Sequence, residues 1–306
     1  MSTETILVTG AGGHLGRLVV EELLALRDQA TKLVAGTRNV GELARLEARG
    51  VEVRRVDFDD AASLDAAFAG VSRLLLVSTN VFGPPRQRQH TMAIDAAKRA
   101  RVEHVTYTSM PNPDAGSLVP FAPDHRSTEE ALERSGLAYT ALRNAWYTDN
   151  LLQSLPGVLA FGKWFGSAGN GRVANVTRAD CARVAARVLT ANDVPEKRYD
   201  VTGGEALTTQ QIADIASAIF ETTIDVVDLS DDAYTKLLGE RGLPPPVVGL
   251  IVGSDANTRI GKFDVISDTV ERWTGRTPES LRSFLVANAA SIRAAATAMR
   301  LRASSG

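Results

Sequence analysis

The chain has 306 residues, 44% of them hydrophobic and 23% charged, with a net charge of −2 and one cysteine; that length permits one large domain or two of ordinary size. The near-even charge balance excludes the basic excess of a nucleic-acid binder, and no apolar run approaches the roughly 20 residues of a membrane span. The lone Cys181 excludes an intrachain disulfide and a cysteine-rich metal centre, and the opening MSTE lacks a basic and apolar leader, so the expectation is a reduced, cytoplasmic protein without a metal.

In chain order, TILVT (5–9), KLVAGT (32–37), VEVRRV (51–56), RLLLVS (73–78), HVTYTS (104–109) and LAYTALR (137–143) are short and rich in β-branched or apolar residues, as strands are. Between them LGRLVVEELLAL, GELARLEAR, SLDAAFAG, RQHTMAIDAAKRA and STEEALERSG carry helical spacing. Strand and helix in alternation predict an α/β fold, a Rossmann-type doubly wound parallel sheet with right-handed crossovers. After about residue 145 the alternation weakens. TRADCARVAARVLTA reads as a helix with Asp180 in its first turn, RYDVTG as a strand, LTTQQIADIASAIF as a helix capped by Thr208 or Thr209, and TIDVVDLS as a short strand. GLPPPVVGLIVG (242–253) reads as an irregular loop, and the Ala-rich C-terminal stretch as one helix. The expectation is a nucleotide-binding domain over 1–145 and a smaller α/β cap domain over 146–306, with strands and helices crossing back onto the first.

VTGAGGHLGR (8–17) lies between the first strand and the first helix. Glycines there allow a tight turn and a close backbone approach to a pyrophosphate, which the N–H groups of the helix start then receive. Gly10, Gly12, Gly13, His14 and Leu15 are the residues expected at that phosphate. The choice of dinucleotide is read at the end of the second strand, where Gly36-Thr37-Arg38-Asn39 has no acid before Glu42. An arginine at Arg38 suits the 2′-phosphate of NADP(H), whereas its bland reading is a solvated strand end. Asp57 and Phe58 would flank the adenine, and Val77, Ser78 and Thr79 would run under the ribose and nicotinamide.

VTGAGGHLG, GTRN, VDFDD, LLLVST, HVTYTSM, APDHRSTEEALERSGLAYTALRNAWYTDN and ANVTRADCARVAARVL together resemble the NmrA-like group of atypical short-chain dehydrogenase/reductases. The resemblance runs to about residue 285 and is nearest to the group's bacterial NADPH-dependent quinone oxidoreductases and triphenylmethane-dye reductases. It implies a Rossmann domain, a small C-terminal domain, NADP(H) as cofactor, and a cleft between the domains for a flat acceptor.

Ordinary short-chain reductases protonate a carbonyl with a Tyr-x-x-x-Lys pair, and no tyrosine here has a lysine four residues on. Tyr139-x-x-x-Arg143 is the nearest imitation, but it falls in an expected strand, where those positions do not share a helix face. A conjugated acceptor can instead take a hydride directly at an electrophilic centre. Asn144 is then a candidate to hold the nicotinamide or acceptor, and Trp146 and Tyr147 to wall the pocket or to pack between the domains. His125, expected just before a helix, and Tyr107, near the end of the fifth strand, are candidate proton donors. Two readings follow: an NADPH-dependent reductase of a small conjugated acceptor, with a homodimer as its considered self-association, or a non-catalytic NADP(H)-sensing regulator of the NmrA-like type.

Overall fold

The computed structural model describes residues 4–26, 30–195 and 197–304. β1 (Thr5–Val8) is buried throughout and turns into α1 (His14–Leu26); β2 (Lys32–Thr37) follows, then a 3-10 turn (Val40–Leu43) and the single turn α2 (Ala44–Glu47). Next come β3 (Glu52–Arg55), α3 (Ala61–Phe68), β4 (Arg73–Leu76), α4 (Pro84–Arg99), β5 (His104–Ser109), α5 (Ala122–Ser135) and β6 (Ala138–Asn144). Local signals explain the boundaries. Asp60 caps α3 by accepting from the Ser63 N–H at 3.1 Å, prolines open α4 where their missing N–H costs nothing, and Gly136 ends α5 in the left-handed region.

The second half supplies α6 (Leu151–Phe161), β7 (Lys163–Gly166), β8 (Arg172–Val173), α7 (Arg178–Thr190) and β9 (Arg198–Val201). It continues with β10 (Leu207–Thr208), α8 (Thr209–Phe220), β11 (Asp225–Asp228), α9 (Asp231–Glu240), α10 (Pro245–Arg259), α11 (Thr269–Thr274), α12 (Leu281–Ala287) and α13 (Ala289–Ser304). The main sheet runs β3-β2-β1-β4-β5-β6-β9, parallel throughout. Its strand order reverses between β1 and β4, which leaves a crevice at their carboxyl ends. α7 packs beside α1 in one core layer, with Val184, Val188 and Leu189 against Val19, Val20 and Leu23. Two small sheets, antiparallel β8–β10 and parallel β7–β11, lie with a separate core built from Leu155, Ile212, Phe220, Phe284, Leu285 and Ile292. No helix of the described residues is long and apolar enough to cross a membrane.

Four expectations are corrected. Residues 242–253, expected to be irregular, contribute most of α10: Pro244 sits at its N-cap, and the following prolines occupy the first turn, where they are tolerated. The C-terminal stretch is two helices, broken at Asn288. GELARLEAR yields only a 3-10 turn and α2. α5 starts at Ala122, so His125 lies inside its first turn rather than before it.

Glu129 of α5, 4% exposed, ties three strands together. It accepts from Ser109 Oγ at 2.7 Å, Arg143 Nη2 at 2.7 Å and Arg198 Nε at 3.0 Å. Burial pushes its carboxyl up, but the bonds from Arg143 and Ser109 outweigh that and hold it below the usual range. Replacing it leaves Arg143 half-buried without its anion. Glu129→Gln is expected to lower unfolding stability by about 3 kcal/mol, read from urea midpoints; a loss under about 1 kcal/mol, typical of an exposed pair, would contradict this role.

Candidate cofactor and active site

The turn after β1 is fixed from three sides. The Thr9 N–H and hydroxyl both donate to the Leu75 carbonyl at 3.0 Å, the Val77 N–H donates to Thr9 Oγ1 at 2.9 Å, and the Ala11 N–H donates to the Gly36 carbonyl at 3.0 Å. Gly10 takes φ +61°, which a side chain would resist. Gly16, in the first turn of α1, shows the tightest approach: a Cβ there would stand 2.3 Å from the Gly10 carbonyl oxygen. The helix start is therefore flush with the turn, and Gly12 and Gly13 leave a floor of bare backbone.

Over that floor opens a cavity of about 570 Å³. Gly10, Gly12, Gly13 and His14 form its floor, Arg38 closes the β2 side, Asp57 and Phe58 follow β3, and Val77, Ser78 and Thr79 follow β4. Ten of the eleven expected cofactor residues thus share one cavity. Leu15 does not line it; its side chain packs into the core layer under α1. Sequence reading missed Asn39, Glu42, Asp59, Asn80 and Gln89. Gln89 comes from α4, remote in sequence and without a motif; it donates to Asp59 at 2.9 Å. Arg38 is exposed and makes no ion pair or hydrogen bond among the described residues. Thr79 Oγ1 is buried without a partner. A glycine-lined floor, an uncommitted guanidinium and an orphaned hydroxyl at the opposite end fit a dinucleotide with a charged adenosine end. A neighbouring cavity of about 400 Å³ shares Gly12, Gly13 and His14 and extends to Arg17, Asp149 and Arg178.

The catalytic candidates lie behind the walls. Tyr107 and His125 line neither cavity and are bonded to each other, Oη to Nδ1 at 2.8 Å. Arg86 Nη1 lies 3.3 Å from His125 Nε2. A guanidinium only donates, so Nε2 accepts and Nδ1 carries the proton. His90 is held likewise: its Nε2 accepts from the Thr79 N–H at 3.1 Å, which puts the proton on Nδ1, 2.8 Å from Thr128 Oγ1. Burial, and then the charge of Arg86, push His90 down to about 3 and His125 well below its ordinary value. Burial pushes the Tyr107 phenol up. Arg86 itself is buried, donates to the Thr79 carbonyl, and lies 5.1 Å from the Phe82 ring centre and 5.5 Å from that of Phe121.

Asn144 ends β6, donates to Tyr147 Oη at 3.2 Å and keeps a buried, unpartnered Oδ1. Tyr147 lies under the Arg178 guanidinium at 4.4 Å and packs on the α1–α7 core. Trp146 meets Phe263 at 5.8 Å, and with Met110, Val119, Phe121 and Leu250 it forms an apolar cluster between the end of β5 and α10. α10 is strapped there by Asn257, which accepts from the Leu118 N–H at 2.9 Å. Phe82, 48% exposed, stacks on Phe121; this aromatic shelf just past Thr79–Val81 had no signal in the sequence reading. The imitation dyad comes apart: Tyr139 donates to Glu133 and Arg143 to Glu129.

Comparison with known proteins agrees with the geometry. The NAD(P)H-binding family matches residues 10–192. Quinone oxidoreductase 2 of Escherichia coli is 36% identical over 276 residues, 90% of this chain and 96% of that protein. The solved NADPH complex of the E. coli NADPH-dependent quinone oxidoreductase superposes with a TM-score of 0.88, covering 93% of this chain and 99% of that one at 36% identity. The triphenylmethane reductase of Citrobacter sp., solved with NADP(H), gives 0.86 at 32% identity over 93% and 99%. The chain belongs to the NAD(P)H-binding family and stands among its oxidoreductases.

Proposed function

We propose that the chain transfers a hydride from NADPH to an uncharged, quinone-like conjugated acceptor, without a tyrosine–lysine proton donor. The observation that carries this is the dinucleotide cavity followed, just past Val81, by the Phe82–Phe121 stack, with Trp146 in the apolar cluster that includes Phe121 and with imidazoles held neutral beneath Thr79. When bound, the dinucleotide supplies the hydride. The chain's own work is positioning. The turn N–H groups receive the pyrophosphate, Arg38 the 2′-phosphate, Asp57 the adenine amino group, and Phe58 the adenine face. Val77, Ser78 and Thr79 would run beneath the ribose and nicotinamide, and Asn144, at the end of β6, would stand toward the nicotinamide or acceptor side. In this reading residues 1–145 hold the nucleotide and 146–306 cover the acceptor, in a cytoplasmic enzyme acting on a small molecule. Flat acceptors suit an apolar aromatic wall. A near-attack geometry above the nicotinamide then provides the acceleration.

The proton that completes reduction comes from solvent in this account. His125 accepts from a cation on one side and donates to Tyr107 on the other, so it has no proton to release into the cleft. The second reading, a sensor without turnover, also accommodates the silent imidazole, but the exposed aromatic shelf and the oxidoreductase relatives support catalysis. Oxidation of NADPH followed at steady state with neutral quinones, azo compounds and cationic dyes tests it. Turnover is expected with a quinone; tight NADPH binding with no turnover across the panel would overturn the reductase.

Three outcomes follow. Arg38→Ala is expected to weaken NADPH more than NADH, by about 1.5–3 kcal/mol for a lost charge-assisted bond; titration showing equal weakening would move the 2′-phosphate elsewhere. Trp146→Ala is expected to raise the acceptor KM while leaving NADPH affinity in place, and an unchanged KM would return Trp146 to packing. The third concerns pH. His90 and His125 have folded values below the unfolded one near 6.5, so between those values the unfolded chain binds more protons. Their contribution to stability is therefore complete above about pH 6.5 and lost on acidification, about 2 kcal/mol per imidazole from pH 7 to 5. Urea unfolding at the two pH values checks this, and equal stability would mean that the folded imidazoles bind protons as readily as the unfolded ones.

A further inference from the structure

The adenosine end of the cavity holds two opposite charges, and only one of them favours a 2′-phosphate. Arg38 is the cation. Glu42, in the 3-10 turn after β2, lines the same cavity. Its Oε1 accepts from Asn39 Nδ2 at 2.9 Å, both side chains being exposed. Its Oε2 then stands above the glycine turn, 3.3 Å from where a Cβ on Gly12 would lie, and Thr37 Oγ1 is equally close to that point. Glu42 forms no salt bridge among the described residues, Arg38 included. The other charged lining residues are also acids: Asp57, which accepts from Arg55 at 2.7 Å, and Asp59, held by Gln89.

A ribose 2′-hydroxyl can donate to a carboxylate, whereas a 2′-phosphate has only acceptor oxygens and negative charge to offer it. Arg38 pulls the phosphate in, and a carboxylate standing over Gly12 pushes it away while receiving the hydroxyl of the unphosphorylated nucleotide. We propose that Glu42 is a nucleotide-selectivity residue, which offsets Arg38 so that NADH is accepted alongside NADPH. The proposal rests on the placement of the nucleotide in this cavity under the proposed function, but not on the acceptor.

Its test is equilibrium binding of NADH and NADPH to the full-length chain, followed by nicotinamide fluorescence, in the wild type and in Glu42→Gln. The amide keeps the shape and can still accept from Asn39, so the variant removes the charge alone. The ratio of NADH to NADPH dissociation constants is expected to rise about tenfold, mostly through tighter NADPH, and the rise is expected to shrink in concentrated salt as exposed charges are screened. A ratio within about twofold of wild type, or equal changes for both nucleotides, would overturn the proposal. Glu42→Ala, which also loses the Asn39 bond, must shift the ratio in the same direction; a shift the other way overturns it too. Because no acceptor is present, Glu42-dependent selectivity in a chain that reduces no quinone would uphold this inference while removing the reductase reading.

Discussion

The approach of α1 to the turn at Gly10 is the contact from which the rest of the site follows. A single added carbon at Gly16 would meet the Gly10 carbonyl at 2.3 Å, so the first helix begins without a gap behind β1. Its free N–H groups and the positive end of its dipole consequently open at the point where the strand order reverses. The loops after β2, β3 and β4 can reach the same crevice only because the sheet is parallel and its carboxyl ends lie together. Burial of β1 on both faces keeps this geometry rigid, and the hydroxyl of Thr9 locks the end of β4 to it.

A second constraint acts from below. Arg86 is buried with neutral partners at the Thr79 carbonyl and His125, between two aromatic rings. Burial of the two neighbouring imidazoles first, and then the Arg86 charge, oppose their protonation. The layer beneath Thr79 is thus a fixed set of donors and acceptors with no mobile proton. Such a layer suits hydride transfer to an acceptor that is already electrophilic, where orientation matters more than acid catalysis. The Phe82–Phe121 stack lies against Arg86 and presents a flat apolar face, Phe82 being about half exposed.

The lining of the cavity over the glycine turn was legible in the sequence because its signals are local. Each expected residue that lines it stands within a few positions of a strand end, and the parallel sheet brings those ends together. Leu15 escaped because a helix start presents its second residue inward. The surroundings of the residues proposed for the acceptor were less legible. Tyr107 sits on a strand buried on both faces, where no polar alternation tells which layer it enters; it enters the layer of α3 to α5. His125 was displaced by a helix beginning earlier than its polar residues suggested. Phe82, Phe121 and Phe263 are brought together with Trp146 by contacts across long stretches of chain, and the proline run that looked like a breaker starts the helix that covers them. Glu42 was noticed only as an acid too late to count, since a 3-10 turn folds it back over the glycines.

The central claim, direct hydride transfer from a nucleotide in this cavity, is tested by one single-turnover measurement. The chain loaded with NADPH carrying deuterium at the transferable position of C4 is mixed with a neutral quinone without air, and absorbance at 340 nm, the nicotinamide band, is followed. A single decay is expected, slowed by a primary isotope effect in the chemical step and insensitive to added flavin. A decay that requires flavin, or none at all despite bound nucleotide, would contradict it.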